Sequence, residues 1–359
     1  MTSEFDPRIV ESLATDAGAF MQQMDLVQRR ALFVRIGESE LRAASFLDER
    51  LGLQGREGFW LPLSGVGAVA ASIRGPVTIP DFIFHIGHCG STLLSRLLDQ
   101  DRAVLGLREP LVLREIAAAE RELDAPTTRI SRPGWQALFA DTLAILGRRF
   151  ETRQRVIAKA TSTCNNLIEP LFGHDPGVRV VLLHLPLESY LATMMKAPGG
   201  GLDALQGAPA RLAYLHRVLG DESIRLHQLD PAQTVAMGWV AELARFTRIA
   251  TDPILSSRAM LLDFEKLLAA PADRLAAVRA HLGLPAEPLD DATLARSPVM
   301  RAYAKSPSHA YTPEDRAHDL ELSRRKFAAE IARGMAWAET LLKDHDVLGP
   351  LRPLLRLAA

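Results

Sequence analysis

Cysteine is scarce in this sequence: only Cys89 and Cys164 occur among 359 residues. Two cysteines exclude a disulfide framework and suit a reducing compartment. An excess of either charge is also missing, because 42 Lys and Arg face 43 Asp and Glu, a net charge of −1. A chain this close to neutrality has no overall basic field to attract nucleic acid, so any anion site must be local.

Long apolar runs are missing as well, and none reaches the length that crosses a membrane. Residues 1–6 are acidic and lack the apolar segment of a secretion signal. We therefore expect a cytoplasmic protein with no membrane partner. No His and Cys spacing resembles a zinc site, and no metal is expected.

Short apolar runs alternate with helical patterns through the middle of the chain. The runs predict strands at residues 82–86, 103–107, 156–159, 178–184 and 260–264. Helical patterns between them include residues 135–150 and 239–250. This alternation predicts a three-layer α/β fold with a mostly parallel central sheet, in which ligands bind at the carboxyl ends of the strands.

Three segments are predicted along the chain. Residues 1–78 form a helical extension, because apolar residues recur there at helical spacing: Phe20, Met24, Val27, Leu32, Phe33 and Ile36. A short hairpin is expected within the glycine-rich passage of residues 52–75, which contains the apolar run 59–63. Residues 79–310 form the α/β core, and residues 311–359 form a helical segment that packs on it.

A glycine-rich turn follows the first predicted core strand. It reads Gly87-His88-Cys89-Gly90-Ser91-Thr92 and opens into a leucine-rich helix. A strand, a tight glycine turn and a helix N-terminus bind phosphate or sulfate, because backbone N–H groups point outward and the helix dipole favours negative charge. The Ser91 and Thr92 hydroxyls add hydrogen bonds. The loop is shorter than a Walker A loop and lacks its lysine, which weakens an ATP-hydrolysing interpretation.

This loop and a later segment resemble the sulfotransferase superfamily, which uses 3′-phosphoadenosine 5′-phosphosulfate on a P-loop-like fold. The first motif reads His88-Cys89-Gly90-Ser91-Thr92, and the later one runs from Met260-Leu261-Leu262-Asp263-Phe264-Glu265 through Pro271 to His281-Leu282-Gly283-Leu284-Pro285. The chain resembles a divergent, bacterial-type member over roughly residues 80–310. The resemblance implies transfer of a sulfuryl group from that donor to a hydroxyl or amine of a small molecule, sugar or peptide.

The resemblance also implies residue roles. The loop residues Gly87, His88, Cys89, Gly90, Ser91 and Thr92 would bind the 5′-phosphosulfate. His88 stands where the family usually has Lys or Arg, and a bound polyanion would favour its charged form. Glu109, about twenty residues later, stands where the tyrosylprotein sulfotransferases carry a glutamate base. A Glu-Pro pair at a strand-to-helix junction also fits a simple helix start. Lys159, at the end of a predicted strand, is placed to face an anion pocket.

The family's second signature holds the donor's 3′-phosphate with an Arg at a strand end and a Ser eight residues later. Here His184 and Ala192 occupy those positions, and a histidine lacks the fixed charge and the paired donors of arginine. Ser189 and Thr193 are the candidates for the missing hydroxyl. Arg301, Tyr303 and Lys305 form a basic and aromatic cluster where family members bring a loop over the nucleotide, and an aromatic ring there can stack on adenine.

Two other functions fit the sequence. A non-catalytic or repurposed anion-binding protein on the same fold would explain why histidines stand at both positions 88 and 184. A small-molecule kinase is the third interpretation, with Asp263 as its only candidate magnesium ligand. In either catalytic case, charged histidines predict weaker donor binding above neutral pH.

Overall fold

A computed structural model describes residues 6–197, 199–287 and 290–356, with the side chain of Pro307 left out. Residues 1–5, on which the expectation of no secretion signal partly rests, lie outside the described residues. The strands in the described part are β1 Ala19–Asp25, β2 Arg30–Arg35, β3 Gly58–Pro62, β4 Asp81–His85, β5 Val104–Arg108, β6 Arg155–Lys159, β7 Val180–His184, β8 Ala259–Asp263, β9 Ala302–Tyr303 and β10 Ser306–Ala310.

The helices in the same part are α1 Pro7–Thr15, α2 Glu38–Ala43, α3 Leu63–Ala71, α4 Ser91–Leu98, α5 Leu111–Arg121, α6 Arg132–Leu146, α7 Ile168–His174, α8 Leu187–Lys196, α9 Gly200–Leu219, α10 Pro231–Thr251, α11 Phe264–Ala269, α12 Pro271–His281, α13 Asp291–Arg296, α14 Pro313–Lys326 and α15 Ala328–Asp344. Among these residues, none of the helices is both long and apolar enough to cross a membrane.

The central sheet has five strands in the order β5-β6-β4-β7-β8. Strand β6 pairs in parallel with both β4 and β5. Every residue of β4, β5 and β7 is buried, as expected for parallel strands covered on both faces. The α/β fold class and each predicted core strand are therefore confirmed, with ends shifted by one or two residues.

The helical interpretation of residues 20–36 is wrong. The structure places β1 and β2 there, paired antiparallel, with β3 completing a three-stranded sheet. The turn between them is fixed by the Asp25 carboxylate, which accepts the N–H groups of Val27 and Gln28 at 2.9 Å. Strand β1 is buried almost throughout, so its apolar residues do not alternate with polar ones and resemble a helical pattern.

The hairpin predicted within residues 52–75 is also wrong, because this passage contributes one strand and a helix. Residues Gly58–Pro62 form β3. Its partner is β2, which lies more than twenty residues earlier in the chain, and Trp60 is opposite Leu32. Helix α3 begins directly afterwards at Leu63. Residue 62 is a proline and has no N–H to continue a ladder, which suits the end of a strand.

The chain forms two compact units that interleave along the sequence. The first comprises residues 6–84 and Thr92–Val180, and the second comprises His85–Ser91 and residues 181–356. In the first unit the antiparallel sheet packs on α5 and α6. In the second unit α10 packs on α8, α9 and α15 around the fully buried Trp239, whose indole N–H donates to the Leu185 carbonyl at 2.9 Å. The three-segment division predicted from the sequence stays a prediction.

Candidate functional site

The glycine-rich turn lies between the end of β4 and the start of α4, and its backbone is held in an unusual conformation. Gly87 has φ 88°, His88 has φ 48° and Gly90 has φ 81°. The Gly87 N–H donates to the His85 ring at 2.9 Å, and the Tyr190 hydroxyl donates to the Ile86 carbonyl at 3.0 Å. Left-handed φ at three of four positions curls the chain tightly, and tight turns of this kind are typical of loops that bind anions through backbone N–H groups.

Gly90 must be glycine for a second reason besides its positive φ, because there is no room for a side chain. A Cβ at this position would lie 2.1 Å from the ring of Phe264, at the start of α11. The Cys89 side chain is fully buried, and its thiol donates to the Leu183 carbonyl at 3.4 Å. The turn is therefore packed against the ends of β7 and β8, and Cys89 offers a ligand its backbone only.

The first helical residues after the turn are Ser91 and Thr92, and both are buried. Within the described residues the Thr92 hydroxyl is buried without a hydrogen-bond partner. A buried hydroxyl normally has a partner. An oxyanion held at the start of α4 would supply one.

The His88 ring is in contact with a carboxylate. Its ring Nε2 lies 2.7 Å from Oδ2 of Asp203, near the start of α9. The imidazole is largely buried whereas Asp203 is 59% exposed. The ring is thus oriented to bind an anionic oxygen, and the oxygen it meets belongs to an exposed side chain.

Glu109 and Lys159 belong to the first unit, and the structure brings these two predicted residues together. Glu109 has φ 56°, although it is not a glycine. Its N–H donates to the Lys159 carbonyl at 2.7 Å, which continues the β5–β6 pairing. The buried Lys159 ammonium bonds one carboxylate oxygen, and Arg50 donates to the other at 2.8 Å.

Arg50 was not singled out by the sequence. It is held by the Asp48 carboxylate, with Nε at 2.8 Å from Oδ1, and its guanidinium lies 3.3 Å from the centre of the Phe46 ring. This stacking and pairing leave Arg50 few alternative positions. Glu109 therefore stands between two oriented cations.

His184, at the end of β7, is buried to 2% exposure. Burial lowers the pKa of its imidazole below the usual 6.5, and Lys266 acts in the same direction while Asp263 opposes. His184 is therefore neutral at pH 7 and cannot supply the charge of the arginine that the family has there. Asp263 itself caps α11 by accepting the Glu265 N–H at 2.8 Å.

Ser189 and Ala192 lie on α8, and both contact α14. The Ser189 hydroxyl accepts a hydrogen bond from Nη2 of Arg324 at 3.0 Å, and the Ala192 carbonyl accepts one from the Ser323 hydroxyl at 2.6 Å. Arg324 was missed because it opens the run Arg324-Arg325-Lys326, and basic residues are common in the last turn of a helix.

Arg301, Tyr303 and Lys305 lie on or beside the short antiparallel pair of β9 and β10. The Tyr303 ring is 41% exposed and makes an edge contact with Tyr311 at 5.5 Å. The second unit thus contains this cluster together with the turn, His184 and Ser189, whereas Glu109 and Lys159 belong to the first. Among the described residues no group of three or more His, Cys, Asp or Glu is placed to hold a metal ion.

Comparisons with known proteins give structural similarity only. No protein-family model matches the chain, and curated proteins give no match. A sulfotransferase from Alicyclobacillus acidocaldarius is 15% identical with a TM-score of 0.36, over 74% of this chain and 97% of that one. A sulfotransferase from Mycobacterium avium is 14% identical with a TM-score of 0.36, over 91% and 98%. A sulfotransferase domain from the curacin biosynthetic pathway is 15% identical with a TM-score of 0.39, over 73% and 98%.

Proposed function

We propose that this protein transfers a sulfuryl group from 3′-phosphoadenosine 5′-phosphosulfate to a hydroxyl or amine acceptor. The observation that carries the proposal is the turn between β4 and α4, where Gly87, His88 and Gly90 all have left-handed backbone. This turn ends in a helix N-terminus with an unpartnered buried hydroxyl at Thr92. Such an arrangement suits a sulfate or phosphate group.

The proposed role of His88 follows from its contact with Asp203. The donor's phosphosulfate would replace the Asp203 carboxylate on Nε2, which is already oriented toward an anionic oxygen. As the bond from sulfur to the bridging oxygen breaks, negative charge develops on that oxygen. A protonated imidazole beside it stabilises the leaving nucleoside bisphosphate.

The proposed base is Glu109. In the transfer, the acceptor oxygen forms a bond to sulfur, the bond from sulfur to the bridging oxygen breaks, and Glu109 takes the acceptor proton. Lys159 and Arg50 hold the two carboxylate oxygens in place. The left-handed backbone at Glu109 supports a functional role, because strained conformations concentrate at functional sites.

Calorimetric titration with adenosine 3′,5′-bisphosphate at pH 6.5 and 8 tests the proposal, with ATP as the comparison ligand. We expect micromolar binding that weakens at the higher pH and is lost in His88→Ala. His227→Ala is the matched control, because His227 is exposed on a short helical turn. Failure of the wild-type protein to bind the bisphosphate would overturn the proposal, and preference for ATP would favour a kinase.

A non-catalytic anion-binding protein is the second candidate, and the buried, neutral His184 favours it. Transfer of radiolabelled sulfate to a panel of hydroxyl and amine acceptors separates the two candidates. We expect Glu109→Gln to keep bisphosphate binding and to lose transfer. Binding without transfer by the wild-type protein, across the whole panel, would favour the binding protein.

A further inference from the structure

Four buried polar atoms without a hydrogen-bond partner lie in one region of the second unit, on or near α8, α11 and α14. Within the described residues they are Nδ1 of His184, Oε2 of Glu265, Nη2 of Arg316 and Nε of Arg324. Buried polar atoms are normally satisfied by the protein or by something bound to it. Their concentration here indicates a site for a polar ligand.

Two of these atoms belong to arginines on the same helix. Arg316 and Arg324 are eight residues apart on α14, which places them about two turns from each other on similar faces. The buried residues Leu320 and Ser323 lie between them in sequence. Both arginines therefore flank the face of α14 that packs on α8.

The nearby carboxylates orient these arginines without satisfying them. Nη2 of Arg316 lies 3.7 Å from Glu265 and Nε of Arg324 lies 3.4 Å from Glu188, and neither N–H group has a hydrogen-bond acceptor in the described residues. Burial lowers the pKa of Arg316, the Glu265 carboxylate opposes this, and repulsion from Arg324 adds to the lowering. Each arginine thus keeps a buried N–H donor beside a carboxylate that it only partly satisfies, and two such donors on one helix favour a bound anion.

The position of α14 relates this pair to the turn. Phe264 contacts the place where a Cβ of Gly90 would be, and the Arg316 guanidinium lies 5.3 Å from the centre of the same ring. One aromatic ring therefore separates the anion-binding turn from Arg316. A ligand with two anionic groups is needed to reach both.

We propose that Arg316 and Arg324 of α14 form a second anion site, which takes a phosphate or sulfate group and replaces the arginine missing at His184. Ser189 belongs to this site as a hydroxyl bonded to Arg324, and the Ser323 bond to Ala192 positions Arg324. The inference rests on the proposed function, in which the second anion is the 3′-phosphate of the donor. Helix α14 then determines the preference for a 3′-phosphorylated nucleotide.

Calorimetry with adenosine 3′,5′-bisphosphate and adenosine 5′-monophosphate tests the site. We expect Arg324→Gln and Arg316→Gln each to weaken bisphosphate binding by about 10- to 100-fold and to change monophosphate binding by less than about twofold. Arg325→Gln is the matched control, because this exposed neighbour pairs only with Glu321 of its own helix in the contacts described. Circular dichroism checks that each variant is folded.

The outcomes separate this inference from the proposed function. Equal bisphosphate affinity in the wild type and in both arginine variants overturns the second site and leaves the proposed function standing. If the wild type binds no bisphosphate, the proposed function fails and a titration with sodium sulfate decides the inference. Weaker sulfate binding in Arg324→Gln than in Arg325→Gln then supports the site, and equal binding overturns it.

Discussion

His88 and Glu109 are two of the three non-glycine residues with positive φ in the described part of the chain, and Arg29 in a tight turn is the third. A left-handed backbone at such residues costs about 1 to 3 kcal/mol each. The surrounding structure keeps these conformations, through the packed turn at His88 and the two cations at Glu109. Strain therefore coincides with the two residues that the sequence motifs indicate.

Gly90 cannot be replaced without disturbing the turn. In Gly90→Ala the new methyl group would overlap the Phe264 ring, and alanine would also be held at φ 81°. We expect a loss of about 3 kcal/mol in the free energy of unfolding, from overpacking and backbone strain together. Urea unfolding followed by circular dichroism measures it.

Gly75→Ala is the matched control for Gly90→Ala. Gly75 has φ 84°, and no atom lies within 4 Å of the place of its Cβ. The Gly75→Ala variant therefore isolates the effect of backbone strain, for which we expect a loss of about 1 kcal/mol in the free energy of unfolding. Equal losses in the two variants would show that the contact between the turn and Phe264 is unimportant for stability.

Glu115 on α5 makes stability depend on pH. Its carboxyl accepts the Met24 N–H, and burial raises its pKa from 4.5 to about 8. Between these values the folded protein keeps a proton that the unfolded chain releases, so stability falls as the pH rises. In the wild type, the free energy of unfolding should therefore decrease between pH 5 and pH 9. We expect this decrease to be about 2 to 4 kcal/mol smaller in Glu115→Gln. Urea unfolding at both pH values tests this, and parallel losses in the two proteins would contradict it.

The residues of the turn could be predicted because glycines, hydroxyls and a helix start are adjacent in sequence. Glu109 and Lys159 could be placed because Glu109 lies just beyond one predicted strand and Lys159 ends another. Asp203, Arg50, Arg316 and Arg324 could not, because each reaches its place in the site only through tertiary packing. Their local sequences resemble ordinary solvated charges.

At the scale of elements, α9 carries the Asp203 carboxylate that contacts His88, and an anion bound by His88 would have to displace it. In Asp203→Asn the ring keeps its position near a neutral amide, so an entering anion displaces a weaker partner. We expect the affinity for sulfate to rise about three- to tenfold. Asp221→Asn is the control, because Asp221 is exposed and bonds only Ser223 in the contacts described. Unchanged or weaker sulfate binding in Asp203→Asn would exclude competition.

Elements were predicted well where burial follows a simple pattern and poorly where it does not. Core strands such as β7 are continuous apolar runs bounded by polar residues, which a sequence shows directly. Successive residues of β1 are buried, so both of its faces are covered, and the strand contacts α5 and α6. The spacing of its large apolar residues coincides with a helical period. The competing signal was the turn after β1, in which the Asp25 carboxylate accepts the N–H of Val27, two residues later.

At the scale of the whole molecule, the second unit depends on seven residues from far upstream. Within His85–Ser91, Ile86 and Cys89 are almost fully buried and bond residues of β7 and α8. A fragment of residues 181–359 lacks this segment and leaves apolar surface and hydrogen-bonding groups uncovered. We expect it to show less helix by circular dichroism than its share of the full chain and to lose cooperative unfolding.

The full chain is the reference for this experiment. A fragment that unfolds in a single cooperative transition, with the helix content of residues 181–356, would show that the upstream segment is dispensable for folding. The glycine-rich turn would then be an addition to a self-sufficient helical unit.

The two cysteines have a consequence for measuring motion. Cys89 lies in the second unit and Cys164 in the first, and both thiols are buried; burial raises the pKa of Cys164 to about 12. An alkylating reagent reaches each thiol only when its own unit opens, so the two labelling rates report two separate opening free energies. We expect a ligand bound in the turn to slow the labelling of Cys89. The labelling rate of Cys164 then serves as the internal reference for that change.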